Sequence, residues 1–201
     1  MRLVKLIVFD IGGTIVDFGE SIYYRYLSRK LHIPESKIKR VFDKLIIKSE
    51  LDKINTKQLL KIAARGLDVK VSDLEWGVFR KLARINPDTT NIMRDLKKRY
   101  EVVLLSNIGR SRFKETAKNF LDRNLYSHAF VSYAIKLRKP NHRIYEYVLK
   151  RMRVRPSEAL FIDDRIENVR GARKAGMKAI WFTNMKELEK ELKRYGVVVS
   201  K

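Results

Sequence analysis

The 201-residue chain contains no cysteine. That absence removes disulfides, thiolate nucleophiles and cysteine-ligated zinc from consideration. Long apolar runs are missing too. None approaches the roughly 18 residues that cross a bilayer, so no membrane span is expected. The stretch from Met1 to Phe9 is basic and then apolar, but it is short and ends at Asp10 without a small-residue cleavage site, which predicts cytoplasmic residence. Histidine is scarce: His32, His128 and His142 stand apart with no second ligand at metal spacing, and a histidine-based centre is not expected. Acidic residues are the minority charge, 23 Asp+Glu against 45 Lys+Arg, for a net +22. Such an excess raises nucleic acid or an anionic surface as a partner. Its distribution argues otherwise. Residues 1–100 carry 22 basic against 12 acidic groups and residues 101–201 carry 23 against 11, so neither half is a basic tail. Clusters such as Lys97-Lys98-Arg99 read as solvated helix ends, and nucleic acid is not an expected partner. No internal repeat or low-complexity tract is found, and nothing in the sequence fixes an oligomeric state.

What is present is a rhythm. Residues 3–9 form a continuous β-branched and apolar run, the pattern of a strand buried on both faces of a parallel sheet. Similar runs recur at Val102–Leu105, Ala129–Val131, Ala159–Ile162 and Ala179–Phe182, separated by helix-length segments at 110–121, 141–153, 166–176 and 185–194. Strand, helix and strand at this spacing predict right-handed crossovers and an α/β fold with a doubly wound parallel sheet. Ligands of such sheets bind beyond the carboxyl ends of the strands.

Residues 18–84 break the rhythm with helical patterning alone. Ile22, Tyr23, Tyr26, Leu27 and Leu31 recur at helical spacing, as do Ile38, Val41, Phe42, Leu45 and Ile46. Pro34 with Ser36 and Asn55 with Thr56 mark two helix starts, and Ser72 with Glu75 reads as a capping box for a third. The expected organisation is an α/β core from residues 1–17 and 85–201, with an all-helical insert over 18–84.

Four short segments, each tied to a strand end or the loop after one, carry candidate chemistry. Asp10-Ile11-Gly12-Gly13-Thr14 places a carboxylate beside two glycines that let a ligand approach the backbone, although alone it could be a turn. Ser106-Asn107 offers a hydroxyl and backbone N–H groups to phosphate oxygens, and equally serves as turn punctuation. Lys139 places a cation before a helix. Asp163-Asp164 are adjacent carboxylates that repel unless a cation offsets them, and hard oxygen ligands suit Mg²⁺. The spacing of Asp164 and Glu167 also fits a helix cap.

In order and spacing, these four segments resemble the haloacid dehalogenase superfamily over nearly the whole chain, with the helical insert in the place of that family's C1 cap. The resemblance implies an Mg²⁺-dependent phosphatase acting on a small phosphorylated substrate. Asp10 would be the nucleophile that becomes an aspartyl-phosphate. Asp10, the Gly12 backbone carbonyl and Asp164 would hold the metal, while Asp163 would orient water from behind that set. Lys139 would neutralise the anions. Thr14, Gly13, Ser106 and Asn107 would fix the nucleophile and the phosphoryl oxygens.

The family's phosphatases carry a second aspartate two residues after the nucleophile; here that position is Gly12. The metal-binding carbonyl survives, but the side chain that would protonate a leaving group is lost. Good leaving groups, as in sugar 1-phosphates or aryl phosphates, are therefore expected. The same glycine leaves open a 2-haloacid dehalogenase, which lacks that aspartate and needs no Mg²⁺, and a catalytically idle basic binding module. In the insert, Tyr24 lies off the core-facing stripe and is expected to face substrate, whereas Trp76 and Trp181 are expected to pack.

Overall fold

The structure, a computed structural model, describes residues 3–199; Met1, Arg2, Ser200 and Lys201, counted above with the α/β core, lie outside the described residues. Five parallel strands form the main sheet: β1 (Leu6–Phe9), β4 (Glu101–Ser106), β5 (His128–Val131), β6 (Ala159–Asp163) and β7 (Lys178–Trp181), in the order β5-β4-β1-β6-β7. All five expected strands are present, with shifted ends. The first is shorter than its apolar run, because Leu3 is 77% exposed and pairing starts where the Lys5 amide donates to the Glu158 carbonyl.

Alternation along the strands supplies two cores. Ile7, Phe9, Val102, Leu104, Leu160 and Ile162 meet Ile92, Met93 and Leu96 of α5 (Pro87–Leu96) and Leu188 and Leu192 of α10 (Met185–Arg194). Leu6, Val8, Val103, Leu105 and Phe161 face the opposite way, onto α8 (His142–Met152) and α9 (Ile166–Lys174). Fully burying one such side chain contributes about 1.5–3 kcal/mol, so both faces must be covered. Three of these four covering helices start where asparagine side chains cap them: Asn86 for α5, Asn141 for α8 and Asn184 for α10.

Register decides what meets at the sheet's carboxyl edge. Phe9 lies opposite Leu104 on one side and Ile162 on the other, so the next residues, Asp10, Leu105 and Asp163, end level with one another. The chain leaves β1 through β2 (Val16–Asp17) and returns through β3 (Arg84–Ile85), an antiparallel pair in which Val16 faces Ile85. Between them lie α1 (Glu20–Leu31), α2 (Glu35–Glu50), α3 (Thr56–Leu67) and the short α4 (Phe79–Leu82). Asn55 caps α3 in a reciprocal box with Gln58.

Two readings of this segment need correction. Ser72 and Glu75 do not open a helix. They belong to a 3₁₀ turn over Val71–Leu74, where the Asp73 carboxylate accepts from the Lys70 amide and Glu75 ends the turn with φ 39°. Tyr24 faces no cleft: it is 3% exposed, packs against Phe42 and donates its hydroxyl to Asp43. The buried arc of α1 is Tyr23, Tyr24 and Leu27, one position round from the expected stripe, because Ile22 turns into the cleft described below.

Ion pairs tie the helical segment to the helices and loops beside the sheet. Asp52 accepts from Arg110 at 3.0 Å, on α6 (Arg110–Phe120), and from Lys136 at 2.5 Å, just after α7 (Ser132–Ile135). Glu50 pairs with Arg138 at 2.9 Å.

Candidate active site

The strand ends open into a cleft of about 390 Å³, floored by the sheet edge and walled by the helical segment. At its base, Lys139 is 1% exposed. Its Nζ lies 2.8 Å from Asp10 Oδ1 and 2.6 Å from Asp163 Oδ2, and donates to the Leu105 carbonyl at 2.8 Å. Three donors from one ammonium thus span three adjacent strand ends. Burial works against this charge, yet the carboxylates of Asp10 and Asp163 outweigh it and hold Lys139 above the ordinary lysine range.

The loop carrying Lys139 is set by Asn107. Its carboxamide donates to the Lys139 carbonyl at 2.9 Å and accepts from the Lys139 amide at 2.8 Å. That side chain is therefore committed to positioning the lysine, and the backbone N–H groups here, the donors expected from sequence, are what Asn107 can offer an oxyanion. Ser106 ends β4 beside it and lines the cleft. Thr14 is brought close in sequence but stays beneath: it is 1% exposed, does not line the cleft, and its hydroxyl has no partner among the described residues.

The acidic pair divides into two environments. Asp163 is fully buried and its oxygens are taken up: Asn168 donates to both at 3.0 Å, the Arg165 amide to Oδ1 at 2.8 Å, and Lys139 to Oδ2. Asn168, in the first turn of α9, was missed from sequence. Its spacing of one helical turn from the acidic pair was the available signal. Asp164 instead lines the cleft, and its Oδ1 is buried without a protein partner. Asp164 and Glu167 do not form a capping box for α9, whose N-cap is Arg165 with no side-chain bond.

Asp10, Asp163 and Asp164 offer carboxylate oxygens within 4.8 Å of one another. Burial raises the Asp10 carboxyl to about 7, against the pull of Lys139, with Asp163 and Asp164 pushing further upward. Asp164 rises to about 6, by burial first and then by the charge of Asp163. One ammonium is too little for three carboxylates. An all-oxygen set with Asp164 Oδ1 buried and unpartnered fits a hard divalent cation, which Asp10 and Asp164 could hold with Asp163 behind them.

Gly13 makes the arrangement possible. It sits at φ +74°, and a Cβ there would lie 2.1 Å from Asp164 Oδ2. Gly13→Ala should push the Asp164 carboxylate aside and weaken divalent-cation affinity by about tenfold or more, as read from a metal titration followed by thermal melting. Undiminished affinity would remove Asp164 from the ligand set. Elsewhere in the wall, Glu20, Trp76, Phe79 and Arg112 line the cleft, none of them assigned to it from sequence. Trp76 packs against the core beside Tyr23, as expected, and also walls the cleft, whereas Trp181 is half exposed with its indole N–H on the Asp164 carbonyl.

A doubly wound sheet whose central strand ends in a carboxylate cluster around one buried lysine is the frame of an α/β enzyme with its site at the sheet's carboxyl edge. The model of the haloacid dehalogenase-like hydrolases matches residues 4–176, and the chain belongs to that family. The sesquiterpene phosphatase astK of Aspergillus oryzae is 31% identical over 103 residues, 50% of this chain and 53% of that protein. A D-ribitol-5-phosphate phosphatase of Bacteroides thetaiotaomicron is 25% identical over 205 residues, 94% of this chain and 97% of that protein. Among solved structures, a HAD family enzyme of B. thetaiotaomicron in complex with magnesium and inorganic phosphate superposes with a TM-score of 0.75 at 20% identity, covering 88% of this chain and 93% of that one. This chain covers 53%, 17% and 31% of the length of three of the curated relatives it matches. Among the described residues, no helix is long and apolar enough to cross a membrane.

Proposed function

We propose that this chain is an Mg²⁺-dependent phosphate monoester hydrolase working through an aspartyl-phosphate on Asp10, with residues 18–84 as a cap over the site. The observation that carries this reading is the pairing of Lys139 with both Asp10 and Asp163 while Asp164 keeps an oxygen free in the cleft. Phosphatases among the relatives, and the magnesium and phosphate in the structural neighbour, support it.

An Asp10 oxygen forms a bond to phosphorus as the ester oxygen departs with the bonding pair and takes a proton from solvent. Water then cleaves the acyl phosphate, releasing inorganic phosphate and restoring the carboxylate. Mg²⁺, held by Asp10, Asp164 and the Gly12 carbonyl, would supply the positive charge that lets a dianion approach this acidic cluster. Lys139 fixes the Asp10 carboxylate in place. Ser106 and the backbone near Asn107 bind phosphoryl oxygens. The +22 surface favours arrival of any phosphate ester.

The test is a phosphatase screen across phosphorylated metabolites with Mg²⁺, and again with EDTA. Activity abolished by EDTA supports the reading. Activity that survives EDTA, with chloride released from 2-chloropropionate, would replace it with the dehalogenase.

Gly12 shapes the expected substrate preference. A Cβ there would meet the Phe18 carbonyl at 3.3 Å, so the loop is built tight against a missing side chain. Without a positioned acid, ester oxygens that leave unaided are favoured. Aryl phosphates should turn over about 10²-fold faster than simple alkyl phosphates, within the range that general acid catalysis supplies. Equal kcat on the two classes would show that another group donates the proton.

A further inference from the structure

The cleft has a second polar region that phosphoryl transfer does not use. Arg112, on α6, lies with its guanidinium carbon 3.5 Å from the Phe79 ring centre, 4.5 Å from that of Trp76 and 4.7 Å from that of Phe18. All four residues line the cleft that contains Asp10. Aromatic faces attract a guanidinium without accepting its N–H hydrogens in ordinary hydrogen bonds, so those N–H groups must find an acceptor elsewhere. Among the described residues no salt bridge reaches it, and its buried Nε has no hydrogen-bond partner. Burial lowers Arg112 to about 10, with Glu20 and Glu115 opposing, so it is a cation at neutral pH.

Two more donors in the same cleft are unanswered. Thr116, one turn along α6, is 1% exposed, and both its hydroxyl and the Trp76 indole Nε1 are buried without a partner. Buried donors without acceptors are costly, and three of them lining one cleft point to an anionic acceptor that the protein itself does not provide. The acceptor's charge is bounded by its surroundings. Glu20 and Glu50 line the cleft as well, and only Glu50 is neutralised, by Arg138. A monoanion therefore suits the site better than a second phosphate, and two coplanar oxygens match the guanidinium fork.

We propose that Arg112, with Thr116 and Trp76, binds a carboxylate on the leaving group, so that the substrate is a small phosphorylated carboxylic acid. The assignment rests on the phosphatase reading of the Asp10 end, because that end fixes the phosphoryl group of the same molecule.

A matched pair of unreactive ligands tests it: 3-phosphonopropionate and propylphosphonate, which differ only by a carboxylate in place of a methyl group. Binding of each to the Mg²⁺-loaded protein is measured by calorimetry. The wild-type protein should prefer 3-phosphonopropionate by about tenfold or more. In Arg112→Met the ratio should fall towards one, and in Arg112→Lys, which keeps the charge without the fork, it should fall only in part. Since the ratio is read within each protein, a general loss of affinity does not imitate the effect. If Arg112→Met fails to fold by circular dichroism, the Lys variant and Thr116→Val carry the test. Wild-type protein that binds both ligands equally, or neither, overturns the proposal, as does a preference that survives the loss of Arg112. Aryl phosphate hydrolysis by the same preparation reports separately on the phosphatase reading, which stands if only the ratio fails.

Discussion

Asp10→Asn should lose about 10⁶-fold in kcat, the scale on which removal of a nucleophile acts, while the metal-free protein becomes more stable. The second half follows from the electrostatics of the cluster. Burial raises the Asp10 carboxyl to about 7 from an ordinary 3.8, so in the absence of a metal its ionised form is disfavoured in the folded chain. An acid whose pKa is higher folded than unfolded gives up stability as pH rises from the unfolded value through the folded one. Below pH 3.8 the carboxyl is neutral in both states and Asp10 behaves like an asparagine. Above about 7 the full penalty is present, on the order of a few kcal/mol. Melting in EDTA at pH 5 and pH 8 should therefore show the Asp10→Asn variant gaining on wild type at the higher pH. Added Mg²⁺ should reverse the order, because the wild type binds it with one more carboxylate. Retained turnover would remove Asp10 as nucleophile; equal melting at both pH values would remove the electrostatic account while leaving the chemistry.

How much of this could be read from the sequence depended on how local the signal was. Strand positions were legible because β1, β4 and β6 are buried on both faces and so must be continuous apolar runs. Asp10, Ser106 and Asp163 were legible because each ends or directly follows such a run, and parallel register brings Asp10 and Asp163 level with Ser106 one residue beyond. Lys139 was named as the cation, but its burial between two carboxylates was not visible, since that depends on Asn107 clamping a loop 32 residues away. Tyr24 was misjudged because a helix of period 3.6 buries an arc, and which arc is chosen depends on where α2 packs. Arg112 was invisible for another reason. In a chain with 45 basic residues, one more arginine on a polar helix carries no mark, and only the packing of Phe18, Trp76 and Phe79 around it sets it apart. Sequence patterns report which residues meet the sheet; they say little about side chains that meet across the cleft.

Lys139→Met should unfold more easily and also react slowly, and the two effects have one cause. The side chain is fully buried with its ammonium shared by Asp10, Asp163 and the Leu105 carbonyl, so methionine keeps the volume and removes the charge. Breaking a buried pair by deleting one partner costs about 3–5 kcal/mol, because the remaining charges stay desolvated without compensation. Here two carboxylates are left, and part of that cost should be escaped by protonation, since burial already holds Asp10 high. The loss of stability should therefore be larger at pH 8 than at pH 5, measured as a denaturant midpoint in EDTA. Turnover should fall by about 10²–10³-fold, the range seen when one preorganised electrostatic group is removed from a reacting centre. Added Mg²⁺ separates the two roles: a divalent cation at Asp10 and Asp164 offsets the stranded charge and should recover much of the stability. It cannot replace the ammonium that fixes the Asp10 oxygen, so turnover should stay low. A variant as stable as wild type in EDTA would mean that Lys139 is not the counter-ion of this cluster, and the reading of the whole site would fall with it.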